Sequence, residues 1–207
     1  VDIKEWGMPA HMVNAYYNPQ KNLIVFPAAI LQAPFYSLEQ SSSANYGGIG
    51  AVIAHEISHA FDSNGASFDE YGSLNNWWTE EDYTAFESRT QQVIDQFEGQ
   101  DSYGAKINGK LTVSENIADL GGIAAALEAA KSEEDFSAEE FFTNFARIWR
   151  MKARPEFMQM LASVDVHAPG HLRTNIQLPN FDEFHETFGV QEGDGMWRAK
   201  EDRVIIW

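Results

Sequence analysis

The chain reads as α+β, mostly helical with a small antiparallel or mixed sheet. Three observations predict this. Helix-opening residues stand at Thr79, at TVSE (112–115) and at SAEE (137–140), each ahead of a run that suits a helix. One stretch, AYYNPQKNLIVFP (15–27), reads as two strands around a turn. The stretch VIAHEISHAFD (52–62) reads as a buried helix, with Ile49, Val52, Ile53, Ile57, Ala60 and Phe61 supplying apolar side chains around it.

In chain order, Tyr16 and Tyr17 lead into a turn at 18–22, and Leu23 to Phe26 run out to Pro27, which ends the second strand. Residues 45–61 form the buried helix, with Gly47, Gly48 and Gly50 in its first turns. Three glycines there cost helix propensity and point to close packing or backbone approach. Residues 62–78 form a loop, and Trp77 and Trp78 read as core. Thr79 caps a helix running to about Phe97, with Glu80, Glu81 and Asp82 set against its dipole. KINGKL (106–111) is turn-like. TVSE opens a helix to about Lys131, and SAEE opens another to about Arg150. Pro155 starts a short helix. DVHAPGHLRTN (165–175) reads as loop with some strand, and Asn180-Phe181-Asp182 begins a last amphipathic helix. No internal repeat or low-complexity linker divides the chain.

The 207 residues are 44% hydrophobic and 22% charged, ordinary globular material with 6 Trp, 7 Tyr and 14 Phe to build a core. A net charge of −17 without a basic stripe argues against a nucleic-acid partner. The acid sits largely in EEDY (80–83) and EEDFSAEE (133–140), which read as solvated helix faces. There is no Cys, so neither a disulfide framework nor a thiolate metal site is open, and a reducing compartment fits. No apolar run reaches the ~18 residues of a membrane span. No signal peptide is visible, but the chain starts at Val1, as an excised piece of something longer would.

The buried helix carries His55, Glu56 and His59 in its middle. At i and i+4 the two histidines lie on one face, one turn apart, and are placed to share one zinc ion. Burying them without partners would cost several kcal/mol, an objection that a metal removes. Glu56 projects beside the metal, where it suits a general base acting on a zinc-bound water. The alternative is a helix with two satisfied histidines and a hydrogen-bonded Glu. Zinc needs a third protein ligand and an open position. Glu115 in SENIADLGG (114–122) is the candidate, although locally it is the N3 residue of the TVSE capping box. Asp119 lies one turn on. Two carboxylates on an otherwise apolar helix face want a cationic partner. Glu115 as ligand and Asp119 as acceptor for a ligand imidazole N–H would satisfy both. Asp62, three residues past His59, is a second outer-shell candidate.

VIAHEISHAFD followed by ENIADLGG resembles the neprilysin-type zinc endopeptidases, gluzincins whose ligands are His, His and Glu. The likeness extends over VNAYYNPQKNLIVFPAAILQAPFY (13–36), NYGGIGAVIAHE (45–56), DVHAPGHLR (165–173) and the final Trp207. It implies a thermolysin-like catalytic fold over 1–207, one zinc ion held by His55, His59 and Glu115, and Glu56 as the base. It implies that Asp62 and Asp119 orient the histidines, that His167 stabilises the oxyanion and that Arg173 holds a substrate carbonyl. Asn14 and the Ala15 backbone would pin a peptide as an added strand. Ile30, Phe35, Ala51, Val52, Ile148 and Trp149 match positions lining the pocket for a large apolar residue just after the scissile bond. Read alone, the loop histidine His167 is more often structural.

Extracellular members of that family carry disulfides, and this chain has no Cys. It is similar in this to the bacterial intracellular oligopeptidases, so a bacterial cytoplasm is the expected location. Full-length members are much longer, and their N-terminal, mainly helical portion closes over the site. That portion would be this chain's missing partner, leaving an open cleft and bare apolar surface. The resemblance implies hydrolysis of short peptides on the amino side of large hydrophobic residues. The rival is a zinc- and peptide-binding fragment that does not turn over.

Overall fold

The computed structural model describes residues 5–207. Helices dominate, and among the described residues the strands form two separate antiparallel ribbons, with one isolated antiparallel bridge between Phe68 and Leu74. β1 (Tyr16–Asn18) pairs with β2 (Leu23–Val25), placing Tyr16 opposite Val25 and Asn18 opposite Leu23. The turn closes with Asn22 at φ 43° and with Asn18 Oδ1 accepting from the Lys21 amide. The expected hairpin is therefore present, but its strands are three residues each, and Asn14 and Ala15 lie just ahead of β1.

The buried helix is less regular than expected. It begins at α1 (Ser42–Asn45), capped by Ser41 Oγ, which accepts from the Ala44 amide. A wide turn over Tyr46–Gly50 follows, in which Gly48 leaves helical geometry at φ −97°, ψ −105°. Regular helix resumes in α2 (Ala51–Ser58), and His59 is its C-cap. Close packing explains the wide turn. A Cβ on Gly48 would sit 2.3 Å from the Phe35 carbonyl oxygen, which itself accepts from the Ile49 amide. Nor is α2 buried all round. Its outer face leaves Ile53 and Ile57 exposed, and Phe61 just past its end is exposed beside them.

α3 (Glu80–Phe97) starts at Thr79 as expected, with Thr79 Oγ1 accepting from the Asp82 amide. β3 (Asp101–Ser102) and β4 (Ala105–Lys106) then form a ribbon that the sequence reading passes over. Its turn residues Tyr103 and Gly104 both have positive φ, and a tyrosine there is a weak signal.

α4 (Gly109–Ala130) corrects the reading of TVSE. Its cap is Asn108, whose Oδ1 accepts from the Leu111 amide. The helix therefore begins four residues early, and Glu115 sits inside it, free of any capping role. Thr112, the supposed cap, is buried, and its Oγ1 accepts from Asn116 Nδ2.

α5 (Ala138–Ile148) does open at Ser137, which accepts from the Glu140 amide. The Glu140 carboxylate, however, accepts from Ser41 Oγ on the neighbouring helix cap. Glu133 and Asp135 take Tyr46 and Ser42 hydroxyls in the same way. That acidic run is exposed as expected, though part of it forms the turn into α5. α6 (Pro155–Val164) has its proline at the first turn, where the missing N–H costs nothing. The loop expected at 165–175 ends instead in a short helix, α7 (Gly170–Asn175). α8 (Asp182–Phe188) stops at Gly189 with φ 61°.

α4 is the centre. Ile117 and Leu120 pack with Phe86, Val93 and Phe97 of α3, while Ile123, Ala126 and Leu127 pack with Phe141, Phe142 and Phe145 of α5. Ala15, Ile30, Ile49 and Val52 form a smaller cluster below the β1–β2 hairpin. Trp78 packs half-buried against Phe86, but Trp77 is exposed and not core, its Nε1 donating to the Phe68 carbonyl. No helix among the described residues is long and apolar enough to cross a membrane.

Candidate metal centre

Helices α2 and α4 cross closely because α4 carries two glycines where they meet. A Cβ on Gly122 would lie 2.7 Å from the His55 amide nitrogen and 2.9 Å from the Ala51 carbonyl oxygen. Backbone against backbone, that approach admits only glycine. It brings residues 55–59 against residues 115–119.

At that crossing, one ligand atom from each of His55, His59 and Glu115 lies within 4.8 Å of the others. Each imidazole has its Nδ1 occupied. His55 Nδ1 stands 2.9 Å from Asp119 Oδ1, and His59 Nδ1 stands 2.6 Å from Asp62 Oδ2. Both Nε2 atoms are thereby aimed at Glu115 Oε2, at 3.3 and 3.5 Å. His167 Nε2 approaches the same oxygen at 3.2 Å, its Nδ1 held 2.8 Å from Asp165 Oδ1. Glu115 Oε2 and Glu56 Oε2 are both buried without a hydrogen-bond partner.

The electrostatics follow from this crowding. Burial alone would lower the His59 pKa, but contacts with Asp62 and Glu115 outweigh it and raise it to about 10. Burial opposes the charged form of His55 too, and Asp119 and Glu115 overcome it, so its pKa also rises. Burial would raise Glu115, yet the surrounding imidazoles hold its carboxyl far below the usual range. Glu56 goes the other way. Its burial raises the carboxyl pKa, and the two imidazoles offset this only in part. Two buried carboxylates of one cleft pushed in opposite directions mark a candidate functional site.

Arg173 closes the back of the site. Its Nε and Nη2 donate to Asp119 at 2.7 and 2.6 Å, and its guanidinium lies 3.5 Å from the Trp149 ring centroid. Asp119 thus serves His55 and Arg173 together, and burial, which would raise its pKa, is outweighed by Arg173 and His55.

These groups open on a cleft of about 460 Å³. Asn14, Ala15, Ile30, Phe35, Ala51, Val52, His55, Glu56, His59, Asp62, Glu115, Asp119, Trp149, His167 and Arg173 all line it. Ile148 does not. It packs behind the wall, against the cluster of Ala15, Ile30, Ile49 and Val52. Phe145, three residues earlier on the same helix face, lines the cleft instead. The sequence reading also passes over Asp165 as the partner of His167, although the Asp-x-His spacing signals it. Tyr17, Asn64 and Gly65 are further lining residues it omits.

Residues 14–204 match Peptidase family M13. The neutral endopeptidase of Lactococcus lactis subsp. lactis is 64% identical over all 207 residues, which are 33% of that protein. The crystal structure of PepO from Lactobacillus rhamnosis superposes with a TM-score of 0.96 at 48% identity, covering 100% of this chain and 33% of that one. A zinc metalloprotease of Mycobacterium tuberculosis in complex with inhibitor gives 0.92 at 42% identity, over 100% of this chain and 34% of its own. This chain therefore spans about a third of the length of the relatives it matches. The expected zincin-like fold is the observed one, and the chain belongs to Peptidase family M13.

Proposed function

We propose that this chain is the catalytic part of a zinc endopeptidase. The observation that carries the reading is the convergence of His55 Nε2, His59 Nε2 and a Glu115 oxygen at one point, with the unpartnered Glu56 carboxylate beside it. Two imidazole nitrogens and one carboxylate oxygen, with Nδ1 atoms already engaged and one side open to a cleft, form the donor set of a catalytic zinc site. His55, His59 and Glu115 would hold one ion. Zinc supplies Lewis acidity to a carbonyl and acidifies water.

The chain's own groups do the rest. Glu56 takes the proton from water and returns it to the leaving amine, a role that its raised pKa supports. His167, held by Asp165, donates Nε2–H to the oxyanion. Asp62 and Asp119 fix the ring orientations. Asn14 and the Ala15 backbone align an extended peptide ahead of β1, and the Arg173 donors not taken by Asp119 hold a substrate carbonyl. Ile30, Phe35, Ala51, Val52, Trp149 and Phe145 form the apolar wall that favours a large hydrophobic residue after the scissile bond. The lack of cysteine supports a bacterial cytoplasm.

The test is cleavage of a quenched-fluorescent peptide with Phe or Leu after the scissile bond, with and without a zinc chelator. Chelator-sensitive cleavage is expected. Glu56→Gln is expected to cut turnover by about 10²–10⁴-fold while zinc stays bound. Cleavage by Glu56→Gln at the unaltered rate would refute the mechanism. Zinc bound without cleavage would make this chain the metal- and peptide-binding part of a site completed elsewhere.

A further inference from the structure

Cations are unevenly placed in this acidic chain. Of its 14 Lys and Arg, four fall in RIWRMKAR (147–154), which contains no carboxylate. Six cations elsewhere find acids, as Lys131 does with Glu183, Lys200 with Asp182 and Arg173 with Asp119, while Arg89, Lys110 and Arg198 stand apart from one another without an ion pair among the described residues. Among the described residues Arg147, Arg150, Lys152 and Arg154 make no ion pair. The C-terminal end of α5 accounts for part of this. Arg150 Nε donates to the Arg147 carbonyl and Arg147 Nη1 to Asn144 Oδ1, both at 3.4 Å. A guanidinium has five N–H donors, so most remain for a ligand.

Arg147 and Arg150 rim a cavity of about 610 Å³ together with His171, Tyr103, Met151 and Met158. Trp149 lines both this cavity and the metal-centre cleft. Thr143, Ala146, Thr174 and Asn175 also line a second hollow of about 540 Å³, whose other walls are Phe142, Leu178, Phe184, Phe188, Val190 and Met196, with Asp194 as its one carboxylate. The two hollows adjoin across those four shared residues, giving a groove with the arginines at one end and mostly apolar side chains at the other. A small inorganic anion would leave the apolar end empty. A long polyanion would meet the −17 surface around the patch. A peptide segment with carboxylates next to large apolar side chains satisfies both ends. We propose that this groove is a second peptide-binding site, separate from the metal centre, for such an acidic–apolar segment. The inference does not rest on the peptidase reading.

The experiment is fluorescence anisotropy of a labelled Glu-Glu-Glu-Gly-Leu-Phe peptide on the chelator-treated protein, so that turnover plays no part. Substituting both arginines, Arg147→Gln with Arg150→Gln, is expected to weaken binding at least about tenfold, as is replacing the peptide's Glu by Gln. Raising salt weakens it too. The Arg147→Lys, Arg150→Lys protein keeps most of the affinity, and circular dichroism shows every variant folded. Phe188→Ser weakens binding at the apolar end. Equal binding of the Gln peptide, or unchanged affinity in the double Gln variant, overturns the proposal. Displacement of the peptide by inorganic phosphate at matching concentration would overturn the ligand class.

Discussion

The two histidines of the candidate metal centre are held by opposite strategies. His59 takes its carboxylate from Asp62, three residues on, where the chain turns out of α2. The same Asp62 accepts the Asn64 and Gly65 amides at 2.7 and 2.8 Å, so one local turn organises itself and the imidazole together. His55 takes its carboxylate from Asp119, 64 residues away on α4, and shares it with Arg173 from α7. The first pair exists wherever the turn exists. The second exists only if α2 and α4 come within glycine distance of each other. Equal chemistry at the two imidazoles thus carries unequal structural risk.

Four perturbations separate the two strategies. The largest effect is expected at Gly122. Gly122→Val places a side chain into the His55 and Ala51 backbone. Urea unfolding should show a loss of about 3 kcal/mol or more, with metal binding abolished. A protein of unchanged stability would mean that the crossing is not tight. Next comes Asp119→Ala, which strands the buried Arg173 charge as well as freeing His55. A cost of about 3–5 kcal/mol is expected in the same measurement. Asp62→Ala should cost less stability yet weaken zinc about 10–100-fold, read by competition with a chelating dye. If Asp62→Ala and Asp119→Ala destabilise equally, the contrast between local and long-range support fails.

The smallest effect is graded with pH. The His59 pKa stands at about 10 in the metal-free chain, against 6.5 for the free side chain. A metal must therefore displace its proton at neutral pH. Affinity should rise with pH by about tenfold per unit for each proton released. Stability of the metal-free chain runs the other way. The charged His59 contributes in full below pH 6.5 and its contribution is lost as pH rises through about 10. Chelator competition and thermal melts across this range test the two signs separately.

Much of the site was legible from short-range pattern. His55, Glu56 and His59 are readable because a helix period puts i and i+4 on one face. Asp62 is readable because it is near in sequence. Glu115 was ambiguous for a definite reason: Thr112 to Glu115 has the form of a capping box, and only the true cap at Asn108 moves the helix start and frees the carboxylate. Arg173 is readable as cleft-facing only through resemblance. Its buried pairing with Asp119 and its stacking on Trp149 require α4, α5 and α7 to be assembled. Ile148 and Phe145 exchange places because the facing of α5 is set by its packing on α4 and the wide turn, not by apolarity, which both residues share.

The sequence by itself determined the helical character, the hairpin, the acidic surface and the three polar groups on one helix turn, since each depends on residues within a few positions of one another. Tertiary structure alone decided that Asp119 serves both His55 and Arg173, that Phe145 and not Ile148 lines the cleft, and that the basic run at the end of α5 adjoins a mostly apolar hollow. Those relations join residues tens of positions apart. They depend on the distance between backbones, which here is set by glycines whose missing side chains carry no pattern of their own.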